Sequence, residues 1–380
     1  MLKRIALVSV VLATAVTVTP AASASPQMMK GIFDETQTLY GNPDTTFPML
    51  ALLGTKAVRV NLYWGGRWGV SKGVPTRLDP DEPGKFDWSL YDRLLLYANQ
   101  YGIKVVLSVY GTPGWANGGK ALNVPPRNAK DLENFVYLAA TRYSGRYVNN
   151  DGVTLPMVRH WIAWNEPNNP VFLRQQYRRV GKRWVIQSAR DYAKICNAVV
   201  TGVGRADITG FREGQNVACG ATAPRGNNAA GSARPSVSPL AFLRAMKAAG
   251  AKGFDAYAHH PYYGHRKETP LSKPPARTAV TLGNFQVLVN EVTRLWGQKR
   301  IWITEYGYQT NPPDRAFGVS NALQARYLTQ AYAYARRHPR IDMMLWFMLR
   351  DDTRLAGWQS GLLNARGARK PAFAAFQRVR

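Results

Sequence analysis

Short, almost continuously apolar stretches alternate along the chain with stretches in which apolar residues recur every three or four positions. The first pattern predicts buried β-strands and the second predicts amphipathic helices. The predicted strands are residues 29–34, 57–64, 103–111, 160–166, 217–224, 254–262, 300–307 and 341–349. The predicted helices are residues 89–102, 128–147, 186–200, 239–251, 284–297, 321–338 and 370–379.

Eight strands, most of them followed by a helix, predict an α/β protein with a closed (β/α)8 TIM barrel. The alternative is an open doubly wound sheet, but no glycine-rich phosphate-binding turn follows the first strand. We expect one domain over residues 25–380. The longest connections all follow strands, so they are predicted to be βα loops on the catalytic face. They are residues 65–85, 168–185, 225–238, 263–281 and 308–319.

The first 24 residues differ from the rest. A short basic start precedes an apolar core, and the segment ends in Ala22-Ser23-Ala24. This arrangement is typical of a secretory signal peptide that is cleaved after Ala24. The sequence therefore predicts a secreted, extracellular protein without a transmembrane anchor, because no other apolar run is long enough to span a bilayer.

The net charge of +27, from 50 Lys and Arg against 23 Asp and Glu, favours an anionic partner or simply a soluble surface. We expect no nucleic-acid partner, because the basic residues form no recognisable nucleic-acid module. The two cysteines, Cys196 and Cys219, can pair in an exported protein or remain separate thiols. Two cysteines are too few for a metal site, and no metal or cofactor is expected.

Polar residues stand at the ends of several predicted strands, where a (β/α)8 barrel assembles its chemistry. Asn165 and Glu166 end the fourth strand, because Pro167 cannot continue a sheet ladder. Glu305 lies near the end of the seventh strand, and the second strand carries Arg59. A glutamate in such a position is either an ion-pair partner or a catalytic group, and two of them favour catalysis.

These motifs resemble the clan A retaining glycoside hydrolases, whose two carboxylates lie on strands four and seven. The resemblance rests on "WNEPN" at 164–168, on "ITEYG" at 303–307 and on Trp346. Residues 86–116 also resemble families 39 and 5 of that clan. Family 39 is the closer of the two, because this chain has "YGTPGWA" where family 5 enzymes commonly have a histidine.

The resemblance implies that Glu166 is the acid/base and that Glu305 is the nucleophile. It implies that Arg59 holds Glu305 ionised, aided by a hydrogen bond from Tyr262. It also implies hydrolysis of β-glycosidic bonds by double displacement.

The remaining implied roles concern the sugar. Asn165 would contact the sugar 2-hydroxyl, and His260 would lie near Glu166. Trp346 would form the floor beneath the reacting sugar, next to a cis peptide between Trp346 and Phe347. Trp64 and Trp115, in loops after the second and third strands, are candidate stacking platforms for sugar rings.

Two of the long loops are strongly basic, which suggests an anionic glycan as substrate. Their basic residues are Arg174, Arg178, Arg179, Lys182 and Arg183 after the fourth strand, and Arg266, Lys267, Lys273 and Arg277 after the sixth. Two further functions remain open: a carbohydrate-binding barrel without catalysis, and a transglycosylase on the same residues. The sugar and the linkage stay undetermined.

Overall fold

The computed structural model describes residues 28–207 and 214–379, so the predicted signal peptide lies outside the described residues. The strands are β1 (Met29–Phe33), β2 (Ala57–Tyr63), β3 (Lys104–Tyr110), β4 (His160–Ala163), β5 (Tyr177–Val180), β6 (Arg183–Ile186), β7 (Asn216–Thr222), β8 (Ala256–His259), β9 (Arg300–Tyr306) and β10 (Ile341–Trp346). The helices are α1 (Glu35–Thr38), α2 (Pro43–Leu52), α3 (Ser89–Gln100), α4 (Gly114–Asn117), α5 (Ala129–Arg142), α6 (Gln187–Ala206), α7 (Pro239–Ala248), α8 (Gln286–Trp296), α9 (Asn321–Arg337) and α10 (Pro371–Arg378).

Eight of these strands close a parallel barrel in the order β1-β10-β9-β8-β7-β4-β3-β2. The predicted (β/α)8 barrel is therefore confirmed, and the open sheet is excluded. None of the helices within the described ranges is long and apolar enough to cross a membrane.

Side chains alternate between the two faces of each barrel strand. The inward-facing set is small and includes Ala57, Ile162, Trp302 and Leu345. The outward-facing set packs beneath the helices and forms the larger apolar core. Because the strands are buried on both faces, they appear in the sequence as continuous apolar runs.

The sequence analysis did not predict the one-turn helices α1 and α4, and it missed two larger features. The helix α2 was not predicted, because its apolar residues form no one-sided stripe and Pro48 interrupts it. The antiparallel hairpin β5–β6 was predicted as part of a loop, and its exposed strands carry few apolar residues to mark them. The structure also joins Cys196 of α6 to Cys219 of β7 in a disulfide bond.

Two glycines in α6 test how tightly the helix layer is packed. An added Cβ at Gly202 would lie 2.7 Å from the Glu133 carbonyl oxygen and from Val136 Cβ, whereas one at Gly204 meets no heavy atom within 4 Å. We predict that Gly202→Ala lowers the free energy of unfolding by about 1–3 kcal/mol through overpacking. Gly204→Ala should raise it by up to about 1 kcal/mol, because alanine favours the helix. Urea unfolding of both variants measures this, and equal effects would contradict the close α5–α6 contact.

Candidate active site

A cleft of about 790 Å³ opens at the carboxyl ends of the barrel strands. Both predicted catalytic glutamates line it, together with Asn165 and Tyr262. A second cavity of about 730 Å³ lies against α8 and α9, and its lining contains no carboxylate. Because the cleft at the barrel mouth contains the acidic groups, we place the candidate active site there.

Glu166 reaches the cleft through an unusual turn of the backbone. β4 ends at Ala163, and both Trp164 (φ +66°) and Glu166 (φ +36°) lie in the left-handed region that large side chains rarely adopt. The Glu166 N–H donates to the Ala221 carbonyl oxygen at 2.9 Å, which fixes the turn against the end of β7. Backbone strain of this kind is concentrated at functional sites.

Arg59 organises the base of the cleft. Its guanidinium is fully buried and donates to Glu305 Oε1 at 2.8 Å and to Asn165 Oδ1 at 2.6 Å. It also donates to Ser108 Oγ at 2.8 Å and to the Thr304 carbonyl oxygen at 3.0 Å. A buried charge needs such partners, and here they come from three other strands or strand ends.

Glu305 is held through both carboxylate oxygens. Arg59 donates to Oε1, and the Tyr262 hydroxyl donates to Oε2 at 3.2 Å. Burial and the neighbouring glutamates hold the pKa of Tyr262 well above its usual range, so this hydroxyl remains a donor. Glu305 therefore has a fixed orientation and a cationic partner.

His260 links the two glutamates. Its Nδ1 lies 3.0 Å from Glu166 Oε1, and its Nε2 lies 3.0 Å from Thr304 Oγ1 and 3.3 Å from Arg59 Nη1. Burial lowers the pKa of His260 to about 3, so the ring is neutral at pH 7. Because arginine can only donate, Nε2 is assigned as the acceptor and the proton as residing on Nδ1, facing Glu166.

The environments of the two glutamates differ. Burial raises the pKa of Glu166 to about 7, although the Asn169 amide (3.1 Å from Oε2) and the Arg59 charge oppose the rise. One oxygen of Glu166, one of Glu305 and one nitrogen of His260 all lie within 4.8 Å of one another. Such a set could also ligate a metal ion, but the Arg59 guanidinium already contacts Glu305 and would repel a cation.

Comparisons with known proteins agree with this geometry. Residues 221–376 match the sequence model of a family described as "Glycosyl hydrolase catalytic core". No curated protein sequence matches the chain. The predicted resemblance to glycoside hydrolases is confirmed.

Three solved structures illustrate the shared fold. A family 39 glycoside hydrolase from Bacteroides cellulosilyticus WH2 is 19% identical with a TM-score of 0.62, covering 92% of this chain and 62% of its own. A glucosidase from Croceicoccus marinus is 14% identical with a TM-score of 0.64, and the match covers 94% of this chain and 66% of the glucosidase chain. A family 39 enzyme from Xanthomonas axonopodis pv. citri is 18% identical with a TM-score of 0.54, covering 94% and 67%. The chain thus spans less than two thirds of the first two proteins.

Two predicted sugar-stacking tryptophans lie outside the cleft lining. Trp64 is 1% exposed and stacks on Phe135 with ring centroids 5.7 Å apart, because the alternation along β2 turns it toward the helices. Trp115 packs edge-on against Trp64, and its indole N–H donates to Ser71 Oγ at 3.1 Å. Neither residue belongs to the cleft lining, and both rings pack against other aromatic side chains.

Trp346, predicted to lie beneath the sugar, is also absent from the cleft lining. Trp346 is fully buried, and its indole N–H donates to the Ser360 carbonyl oxygen at 2.9 Å. Leu345 faces the barrel interior, so alternation turns Trp346 outward to the core beneath the helices. The cis peptide lies one residue later than predicted, between Phe347 and Met348. Phe347 and Trp358 line the cleft instead.

Trp358 is an aromatic residue that the sequence reading missed. It is 40% exposed, and its ring lies 5.3 Å from the rings of both Tyr262 and Phe347. It belongs to the segment after β10, for which no periodic pattern predicted a position.

Two acidic residues after β1 were also missed. Asp34 caps α1 and accepts N–H donors from Gln37, Leu349 and Arg350, all at 3.1 Å. Burial raises the pKa of Asp34 to about 7, but its oxygens are occupied by these structural bonds. Glu35 follows it and lines the cleft.

The basic loop residues that suggested an anionic substrate do not line the cleft. Arg178 and Arg179 belong to the hairpin β5–β6, where they contact Gln187 and the Gly181 carbonyl oxygen. The arginines in the lining are Arg225 and Arg234, and it also contains five carboxylates.

The raised pKa of Glu166 predicts a pH-dependent stability. The unfolded chain releases the Glu166 proton near pH 4.5, whereas the folded protein releases it only near pH 7. Protonated Glu166 therefore stabilises the folded protein at low pH, and this contribution to the free energy of unfolding is lost as the pH rises through 7. We predict that Glu166→Gln, which stays neutral, gains on the order of 3 kcal/mol relative to wild type between pH 4 and pH 8. Denaturant unfolding at both pH values measures this, and a pH-independent difference would show that Glu166 titrates normally.

Proposed function

We propose that this protein is an exported retaining glycosidase that cleaves β-glycosidic bonds of a polysaccharide or oligosaccharide. The observation that carries the proposal is the separation of the two carboxylates, which have oxygens within 4.8 Å of each other. Retaining enzymes hold their carboxyl groups about 5–5.5 Å apart, whereas inverting enzymes need about 6.5–9.5 Å to admit a water molecule.

In the first step, Glu305 attacks the anomeric carbon while Glu166 gives its proton to the glycosidic oxygen. The bond to the leaving sugar breaks, and a covalent glycosyl-enzyme forms. The raised pKa of Glu166 supports this role, because the group keeps its proton up to about pH 7. The Arg59 guanidinium stabilises the anionic nucleophile.

In the second step, Glu166 is ionised and takes a proton from water as the water attacks the anomeric carbon. Glu305 leaves as a carboxylate, and the released sugar keeps its β configuration. The neutral His260 ring orients the Glu166 carboxyl from Nδ1. The Asn165 amide nitrogen is left to donate to the sugar, because its oxygen accepts from Arg59.

Export is part of the proposal. It is supported by the apolar leader in residues 1–24 and by the Cys196–Cys219 bond, since disulfides persist in oxidising compartments.

An anionic glycan remains the proposed substrate class, but the residues proposed to bind its acidic groups differ from those of the basic loops. Arg225 and Arg234 stand in exposed positions of the cleft lining, where a guanidinium can bind a substrate carboxylate through two hydrogen bonds.

The proposed reaction predicts sugar release from at least one member of a panel of neutral and acidic β-glycans. Glu305→Ala should reduce kcat by at least about 1,000-fold, and Glu166→Ala should reduce it much less on aryl glycosides, whose leaving groups need no proton. Proton NMR should detect the β-anomer first, and kcat/KM should fall above about pH 7 as Glu166 ionises. First formation of the α-anomer, or equal release by wild type and Glu305→Ala, would refute the proposal.

Trp358 should act as a platform for a sugar ring. We predict that Trp358→Ala raises KM about tenfold, because a stacked aromatic ring contributes on the order of 1–1.5 kcal/mol. The matched control is Trp184→Ala on the hairpin β5–β6, which removes a tryptophan that is 52% exposed and lies outside the cleft lining. Equal KM changes in the two variants would contradict the platform.

A further inference from the structure

Two side chains with acceptor oxygens, Glu35 and Asn61, line the cleft on the β1–β2 side. Glu35 Oε1 accepts the Asn61 backbone N–H at 2.5 Å, and Oε2 accepts the Tyr63 hydroxyl at 3.0 Å. No ion pair among residues 28–207 and 214–379 includes Glu35. Each carboxylate oxygen can accept more than one hydrogen bond, so Glu35 retains capacity to bind a donor.

Asn61 supplies an independent observation. The residue is 7% exposed and lines the cleft, and its side-chain oxygen Oδ1 has no hydrogen-bond partner. Buried polar atoms are nearly always satisfied, so this oxygen requires an explanation. The terminal torsion of asparagine is soft, which allows the amide oxygen to turn toward a donor in the cleft.

The positions of Glu35 and Asn61 indicate which part of a bound sugar they would contact. Asn61 follows Arg59 by two residues on β2, so both side chains lie on the inner face of the barrel, with Asn61 closer to the mouth. Arg59 itself contacts Glu305 and Asn165. A sugar bound with its anomeric carbon at Glu305 would therefore lie alongside Glu35 and Asn61.

A purely structural role explains only part of this arrangement. The Glu35 carboxylate does connect the end of β1 to β2 through Asn61 and Tyr63. That role does not require Glu35 to line the cleft, and it leaves Asn61 Oδ1 unsatisfied. Donor hydrogens from a ligand account for both observations.

We propose that Glu35 and Asn61 determine specificity by binding two neighbouring donor groups of the reacting sugar, as hydroxyls or as a hydroxyl and an amino group. The inference rests on the proposed function for the identity of the ligand, but it can be tested by binding alone. Under this proposal the cleft has two regions. Donor-rich ring positions face Glu35 and Asn61, and acidic substituents face Arg225 and Arg234.

The test uses saturation-transfer NMR with methyl β-glycosides of glucose, galactose and xylose and with their monodeoxy and amino-deoxy analogues. Wild type should bind one parent glycoside about tenfold or more tightly than one of its deoxy analogues, since a hydrogen bond to a charged or buried acceptor is lost. Glu35→Gln and Asn61→Ala should reduce that preference to less than about threefold. An amino-deoxy analogue that binds wild type more tightly than the parent, but not Glu35→Gln, would identify the amino group as the donor.

Glu82→Gln is the matched control. The Glu82 carboxylate is also buried and bonded to a hydroxyl and to backbone N–H groups, those of Thr76 and Arg77, but it lies outside the cleft lining. Its variant should keep the wild-type preference. Melting curves check that both variants stay folded, since Asn61→Ala removes the unsatisfied Oδ1 together with the side-chain amide that contacts Glu35.

Equal preferences in wild type and both variants, or no binding of any glycoside, would overturn the inference. Failure of the proposed function has a different signature. In that case the glycosides bind with the Glu35-dependent preference, but wild type releases no sugar from any glycan. Hydrolysis that depends on Glu305 and not on Glu35 would overturn this inference alone.

Discussion

The buried guanidinium of Arg59 is the constraint on which the rest of the site depends. It contacts Ser108 of β3, Asn165 after β4 and Glu305 of β9, and its face lies 4.3 Å from the Phe33 ring centroid at the end of β1. An unpaired charge in this position would strongly destabilise the fold, so these partners must meet at one point. The closed barrel brings their strands together and determines how far each strand extends toward the barrel mouth.

The same guanidinium makes the two glutamates chemically different. Glu305 is in direct contact with the positive charge, whereas Glu166 is buried with a neutral histidine and an asparagine amide as its neighbours. Two identical side chains less than 5 Å apart therefore lie in different electrostatic environments. The proposed double displacement requires such a difference between its acid and its nucleophile.

Strand alternation explains where the sequence interpretation succeeded and where it failed. Arg59 and Asn61 share the inner face of β2, so the cleft contains both, and the same rule directs Trp64 outward to the helices. On β10 it directs Trp346 away from the cleft. These two side-chain directions could have been predicted from the sequence, because the signal is a simple period of two.

The sequence by itself determined the barrel, the order of its strands and the strand ends that carry Glu166 and Glu305. Continuous apolar runs and their proline and glycine boundaries are local signals, and eight of them in alternation with helices leave few possible topologies. Only the tertiary structure decided which loop residues reach the cleft. Glu35 and Trp358 are far apart in sequence and carry no local pattern, and the basic loops point elsewhere despite their charge. The physical reason is that loop conformation depends on contacts with other loops, and only the closed barrel brings those loops together.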